Sequence, residues 1–328
     1  MKYYLLRRFF YTVILLFAVS AFSFFLIDLP PGDYLTSYVA SLRDARGSEI
    51  DQAEIEGLKQ QYGLDQSLLV RYGKWMRNML NGNFGRSFAW NREVSDLIHE
   101  RLWITLLTAV LTLVVTYAVA IPIGIYSATR QYSIGDYFFT IIGFMGLAMP
   151  TFFLALVLMY YINRATGFSV GGLYSPEYMN QPMNTAKFID MLKHISILVI
   201  AVGMAGTASV IRIMRSGILD ELQKPYVIAA RSKGLTEIQL LLRYPVRLAL
   251  NPIVSTIGWI LPSIVSGATV TAIVMNIPTI GALLYEALLA QDTYVAAASI
   301  MLLSFMTVVG MFISDLLLAV VDPRIRFT

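Results

Sequence analysis

The chain has 328 residues, 57% of them hydrophobic and only 14% charged, with a net charge of +4 and no cysteine. This composition belongs to integral membrane proteins and excludes an ordinary soluble domain, a disulfide framework and a thiolate metal site. The cations lie mostly in loops between apolar runs, which argues for membrane orientation and against nucleic-acid binding.

Met1–Arg8 carries three cations and leads into an uncharged run, Phe9–Ile27. At 19 residues this run exceeds the roughly 7–15 apolar residues of a signal peptide, so it predicts a retained first span with its N-terminus inside. Asp28–Arg101 is polar, with 11 acids against 9 bases, and reads as an extracytoplasmic segment. Within it Ile55, Leu58, Tyr62 and Leu64, then Leu68, Leu69, Tyr72, Trp75, Met76 and Met79, recur at near-helical spacing and predict amphipathic surface helices.

Leu102–Ala128 is the second predicted span and Tyr137–Asn163 the third, kinked at Pro150. After an external loop over residues 164–193, the fourth span opens at His194 and ends at Arg212 and Arg215. The fifth covers about residues 250–275, Asn276–Gly281 begins the return, and Thr293–Val321 is the last. Between Arg212 and Arg247 seven Lys/Arg face three acids, which places that segment, and with it both termini, in the cytoplasm. The expected fold is an all-α integral membrane protein with six transmembrane helices. It divides into residues 1–27, the external segment 28–101, and a five-helix core at 102–328 that includes a cytoplasmic loop, residues 215–248.

That loop holds the most informative stretch. Pro225 suits the first helical position and Gly234 the left-handed residue that closes a helix, so residues 225–233 read as a short helix. At about 13 Å it is too short to cross a bilayer. Thr236 with Gln239 forms a capping-box pattern, which starts a second helix at Glu237. Tyr226, Val227, Ala229, Ala230 and Leu235 give the first helix an apolar side with little bulk in its middle, and small residues permit close approach by a partner.

The run Tyr226–Leu235, followed by Arg243-Tyr-Pro-Val-Arg247 and Asn251-Pro252, resembles the cytoplasmic "EAA" loop of ABC importer permeases, in the form used by the dipeptide/oligopeptide permease family. Ile228 stands where the general motif has an acid. Gly63–Tyr72, Gly82-Asn-Phe-Gly-Arg-Ser87, Asn276-Ile-Pro-Thr-Ile-Gly281 and the terminal Asp322-Pro-Arg-Ile-Arg326 are similar to further stretches of that family, although the aromatic residue usual before the third is absent. The resemblance implies a type I ABC importer permease fold in a bacterial or archaeal cytoplasmic membrane. It also implies a coupling helix that docks on an ATPase subunit through Tyr226, Ala229, Ala230, Arg231, Ser232, Lys233, Gly234, Leu235 and Glu237. The implied partners are a second homologous permease, two ATPase subunits or domains, an extracytoplasmic substrate-binding protein and the lipid bilayer, with ATP and Mg bound by the partner subunits. The implied cargo is di- or oligopeptides, with oligosaccharides or nickel as the alternative.

No constellation for catalysis, metal binding or a cofactor appears. The sequence lacks a phosphate-binding Gly-x-x-x-x-Gly-Lys-Ser/Thr loop and a His-Glu-x-x-His pair, and its two histidines, His99 and His194, fall at span edges, where an interfacial role is expected. The methionines read as packing residues. Ser263, Ser266, Gly267 and Thr269 form a polar, small-residue run in the fifth span; they suit a translocation path and suit helix packing equally. Asp315 is the clear acid within a span, with a structural partner or a transport role as its two readings. An ion-coupled secondary transporter is disfavoured by the nearly charge-free spans and a membrane-embedded enzyme by the missing catalytic groups.

Overall fold

The computed structural model describes residues 2–27, 66–87 and 89–321. The predicted helix over Ile55–Leu64 and the terminal Asp322–Arg326 lie outside them. The described residues form α1 Lys2–Ile27, α2 Leu68–Leu80, α3 Val94–Thr129, α4 Ile134–Ala148, α5 Thr151–Thr166, α6 Thr185–Leu222, α7 Pro225–Ser232, α8 Glu237–Arg243, α9 Pro245–Val274, α10 Ile280–Leu289 and α11 Thr293–Val321. Helices α3, α6 and α11 are long and apolar enough to cross a membrane, and α4/α5 and Glu237–Gly258/Ile260–Val274 form two bent apolar pairs. Phe9–Phe25 adds a shorter apolar helix, so the arrangement is compatible with six spans.

The chain divides into two compact units. The first comprises residues 105–278 and 307–328, and α6 is its centre. Helices α4, α5 and α9 pack on α6. Lipid tails supply no hydrophobic force between helices, so close packing through small residues and polar links must hold them. A side chain at Gly203 would meet the Thr116 hydroxyl at 3.2 Å, and one at Gly124 would overlap the buried Met214 side chain. The Tyr117 hydroxyl lies 2.7 Å from the Thr256 hydroxyl, and Thr151 lies 2.9 Å from Thr271.

The second unit comprises residues 2–104 and 279–306. Phe24 of α1 packs on Trp75 of α2 and on Ala297 of α11, while Val94 and Leu97 join Ile280, Leu283 and Val295 in a second cluster. The Gly82–Ser87 stretch is held by a fully buried carboxylate. Asp292 accepts the Ser87 hydroxyl at 2.6 Å, the Ala89 amide at 3.0 Å and the Val295 amide at 3.2 Å, so one side chain fixes the loop and caps α11.

Two expectations need correction and one is extended. The third span is no kinked helix: α4 and α5 meet at 112° across Met149–Pro150. Proline disfavours the helical region for the residue before it, and here both Met149 (ψ 134°) and Pro150 (ψ 137°) are extended, so two peptide units redirect the chain. The return after the fifth span contains α10, entered through the left-handed Asn276 and capped by Thr279, which accepts the Ala282 amide. His194 is no interfacial residue. It is wholly buried, with Nδ1 3.2 Å from the Val170 carbonyl and Nε2 3.3 Å from the Ser175 hydroxyl, while Asp190 accepts the Ser175 amide and hydroxyl at 2.7 Å each. That cluster ties residues 170–175 to α6. His99, by contrast, is exposed as expected.

Toward the C-terminal end of α6, the buried Asp136 near the start of α4 accepts from Arg215 Nη2 of α6 at 3.0 Å and from the Tyr132 amide at 3.0 Å. Replacing Arg215 by Ala leaves that carboxylate buried without its ion pair, which costs about 2–4 kcal/mol. Thermal unfolding in detergent should show a lowered midpoint for Arg215→Ala and partial recovery in Arg215→Lys. An unchanged midpoint would mean the pair does not fix α4 to α6.

Candidate functional site

Downstream of that ion pair α6 runs on for two turns, and three residues later the chain enters α7. Lys224 is extended (ψ 143°) and Pro225 takes the first helical position, where its missing N–H costs nothing. Gly234 closes the turn at φ +85°, and its amide bonds the Arg231 carbonyl at 3.0 Å. Thr236 caps α8 by accepting the Gln239 amide at 3.4 Å. The helix–turn–helix expected from Pro225, Gly234 and Thr236 is therefore present, with Lys233 outside α7 rather than within it.

Its inner side is apolar. Val227 and Leu240 are fully buried and Ala230 nearly so, packed with Leu222, Leu235 and Tyr244. Ala230 thus turns toward the chain's own cluster, and Ala229 is the small residue on the outer side. Tyr226, Ile228, Ala229, Arg231, Ser232 and Lys233 are exposed, and on α8 Ile238 and Leu242 are too. Arg231 makes a bidentate pair with Glu237, Nε–Oε1 2.7 Å and Nη2–Oε2 3.0 Å, which closes the outside of the turn. The Tyr226 hydroxyl donates to Glu221. Burial and the adjacent Glu221 carboxylate push its pKa up to about 12, so it remains a donor at physiological pH. Eight of the nine named residues thus divide between an outer surface and its supports: Tyr226, Ala229, Ser232 and Lys233 face out, Ala230 and Leu235 hold the base, and Arg231 with Glu237 clamps the turn. Gly234 supplies its backbone geometry.

The four residues of the fifth span do not share one environment. Ser263 and Ser266 are exposed on one side of α9, and a Cβ at Gly267 would meet no atom within 4 Å. Thr269 is half-buried. Both serine hydroxyls donate back to helix carbonyls, Ser263 to Ile260 at 2.8 Å and Ser266 to Ser263 at 3.3 Å. Ser255, Val270 and Val274 extend the exposed side along α9; Ser255 escaped the sequence reading, although its spacing from Ser263 and Ser266 is helical. Asp315 is half-buried on α11.

Residues 120–327 match the family described as binding-protein-dependent transport system inner membrane component, and residues 1–110 match the N-terminal part of such membrane components. The chain belongs to this family. It is 32% identical over 329 residues, spanning 100% of both chains, to the oligopeptide transport system permease protein AppB of Bacillus subtilis. It is 28% identical to the nickel import system permease protein NikB of Staphylococcus aureus, over 98% of this chain and 91% of that one. In fold it is similar to a chain of the MetNI methionine ABC transporter in an inward-facing conformation, with a TM-score of 0.54 and 16% identity, over 69% of this chain and 96% of that one. The protein is the membrane permease subunit of an ABC importer, and membership of a transport family rather than an enzyme family agrees with the reading of its residues.

Gly234→Val places a β-branched residue at φ +85° with open space around it, so its cost, about 1–3 kcal/mol, is backbone strain and not a clash. Hydrogen exchange should quicken across residues 225–236 and stay unchanged in the spans. Unaltered protection there would show that the left-handed turn does not fix α7.

Proposed function

We propose that this permease carries di- or oligopeptides and that α7 is the segment through which ATP hydrolysis on partner subunits moves the spans. The full-length similarity to an oligopeptide permease supports the cargo. The coupling reading is supported by an exposed helix about 12 Å long, braced from within by Val227, Ala230 and Leu240 and carried directly after α6. In this reading the chain supplies half of a translocation path, a homologous permease supplies the other half, two ATPase subunits hold ATP and Mg, and an extracytoplasmic protein delivers the peptide. The exposed serines of α9 and Gly267 face that path, and both termini lie in the cytoplasm. Alternating access then needs no chemistry in this chain: closure of the ATPases displaces α7, and α6 passes the displacement to the helices packed on it.

The nickel relative motivates the second reading, in which the same architecture serves a metal ion. Affinity purification in mild detergent, with mass spectrometry of the copurifying subunits and of the ligand on the binding protein, separates the two. Recovery of the chain alone even after crosslinking would overturn the importer assembly. Within the assembled complex, Ala229→Trp adds bulk on the outer side of α7 and should lower substrate-stimulated ATPase activity about tenfold, the effect of misfit worth 1–2 kcal/mol. Full stimulation in that variant would remove α7 from the coupling path.

A further inference from the structure

Helix α2 of the second unit carries three cations, Arg71, Lys74 and Arg77, and no acid. Its inner face is settled by α1. Tyr72 packs against Phe17, Phe24 and Phe25, its hydroxyl lies 2.9 Å from the Ser20 hydroxyl, and Trp75 packs on Phe24, with Met76 and Met79 in the same cluster. Those contacts do not use up the apolar side of the helix. Leu69 and Leu80 are 70% and 78% exposed, and a Cβ at Gly73 would meet nothing within 4 Å. At about 3.6 residues per turn, Leu69, Gly73 and Leu80 fall within about 40° of one another, beside Met76. The exposed Lys74 and Arg77 come next around the axis. The order around α2 is therefore protein contact, bare apolar strip, cationic strip.

The position of α1 fixes the surroundings of that strip. Phe9–Phe25 is apolar, and its large side chains Phe10, Ile14, Phe17 and Phe22 are exposed, a face suited to hydrocarbon and not to water. Tyr72 meets α1 between Phe17 and Phe25, within about 15 Å of the end of the apolar run at Ile27. A helix fastened there borders the hydrocarbon at the C-terminal end of α1. Leu69 and Leu80 then have acyl chains within reach, while the long stems of Lys74 and Arg77 can carry their charges to the headgroups.

We propose that α2 is a membrane-surface anchor that seats Leu69 and Leu80 among acyl chains and holds the phosphates of anionic phospholipids with Lys74 and Arg77. Free phosphate would leave the leucines bare, and a neighbouring apolar span would bring no anion to the two cations. An anionic lipid surface meets both strips at once, through apolar burial beside α1 and opposite charge beyond it.

The assembled complex in nanodiscs of equal phosphatidylcholine and phosphatidylglycerol, carrying Leu69→benzoylphenylalanine or Leu80→benzoylphenylalanine, tests this by photo-crosslinking and mass spectrometry of the adducts. Both positions should capture lipid, and phosphatidylglycerol about fivefold more often than phosphatidylcholine, the worth of one cation near an anionic surface. Adding Lys74→Gln with Arg77→Gln should bring that ratio to about one while lipid capture continues. The ratio is read within one sample, so a lower yield of folded complex cannot imitate its loss. Capture of a partner subunit or of residues 28–65 in place of lipid, or no adduct at either position, overturns the proposal. Equal capture of the two lipids before the double substitution, or a preference that survives it, overturns the proposal as well.

Discussion

Helix α6 is longer than the bilayer is thick, and that constraint orders the first unit. Its 38 residues extend about 57 Å, against a hydrocarbon core of about 30 Å. Both ends must therefore stand outside the core. The chain gives each a polar anchor: Asp190 with Ser175 and His194 at one end, and Arg215 with Asp136 at the other. The stretch between anchors contains Ala201, Gly203, Gly206 and Ala208, whose small side chains let other helices come close. A helix held at both ends and crowded along its length has little freedom to bend. Whatever projects from its C-terminal end inherits its position, and α7 begins three residues beyond it.

The rigidity of the helix–turn–helix comes from burial more than from charge. The Arg231–Glu237 pair is well aligned but exposed, and solvent screens such pairs so that they add little to stability. Fully burying Val227 and Leu240 contributes about 1.5–3 kcal/mol each. The apolar cluster therefore dominates, and the ion pair chiefly selects one closure of the turn. In the proposed coupling role this division lets the surface receive displacement without deforming, since the dominant apolar contacts lie on the side away from the exposed residues.

Much of this was legible in the sequence because helix ends obey local rules. Pro225, Gly234 and Thr236 each act within four residues of themselves, so both short helices could be placed from composition alone. Uncharged runs located the long apolar helices for the same reason. The features that were missed depend on distant neighbours. Pro150 signals an interruption, but the 112° angle requires Met149 and Pro150 both to be extended, which packing on α6 must support. His194 is separated by nineteen residues from Ser175, and only the folded loop brings them together. An eight-residue helix such as α7 has barely two turns, too few for periodicity to tell that Ala230 faces inward and Ala229 outward.

The same limit explains why the two candidate surfaces differ in clarity. On α9 the inward residues Ile253, Thr256, Ile260 and Ile264 recur at helical spacing and pack within the unit, so the opposite side is defined by what is left over. Ser255, Ser263 and Ser266 on that side satisfy their hydroxyls with the helix's own carbonyls, so each can be exposed to hydrocarbon or to a partner at little cost. Because the hydroxyls can turn to an outside acceptor, the stripe also tolerates water and polar cargo. A surface with this double tolerance imposes little selectivity of its own. In the proposed path such a stripe leaves selectivity to the delivering protein, which is consistent with one family of permeases including relatives named for oligopeptides and for nickel.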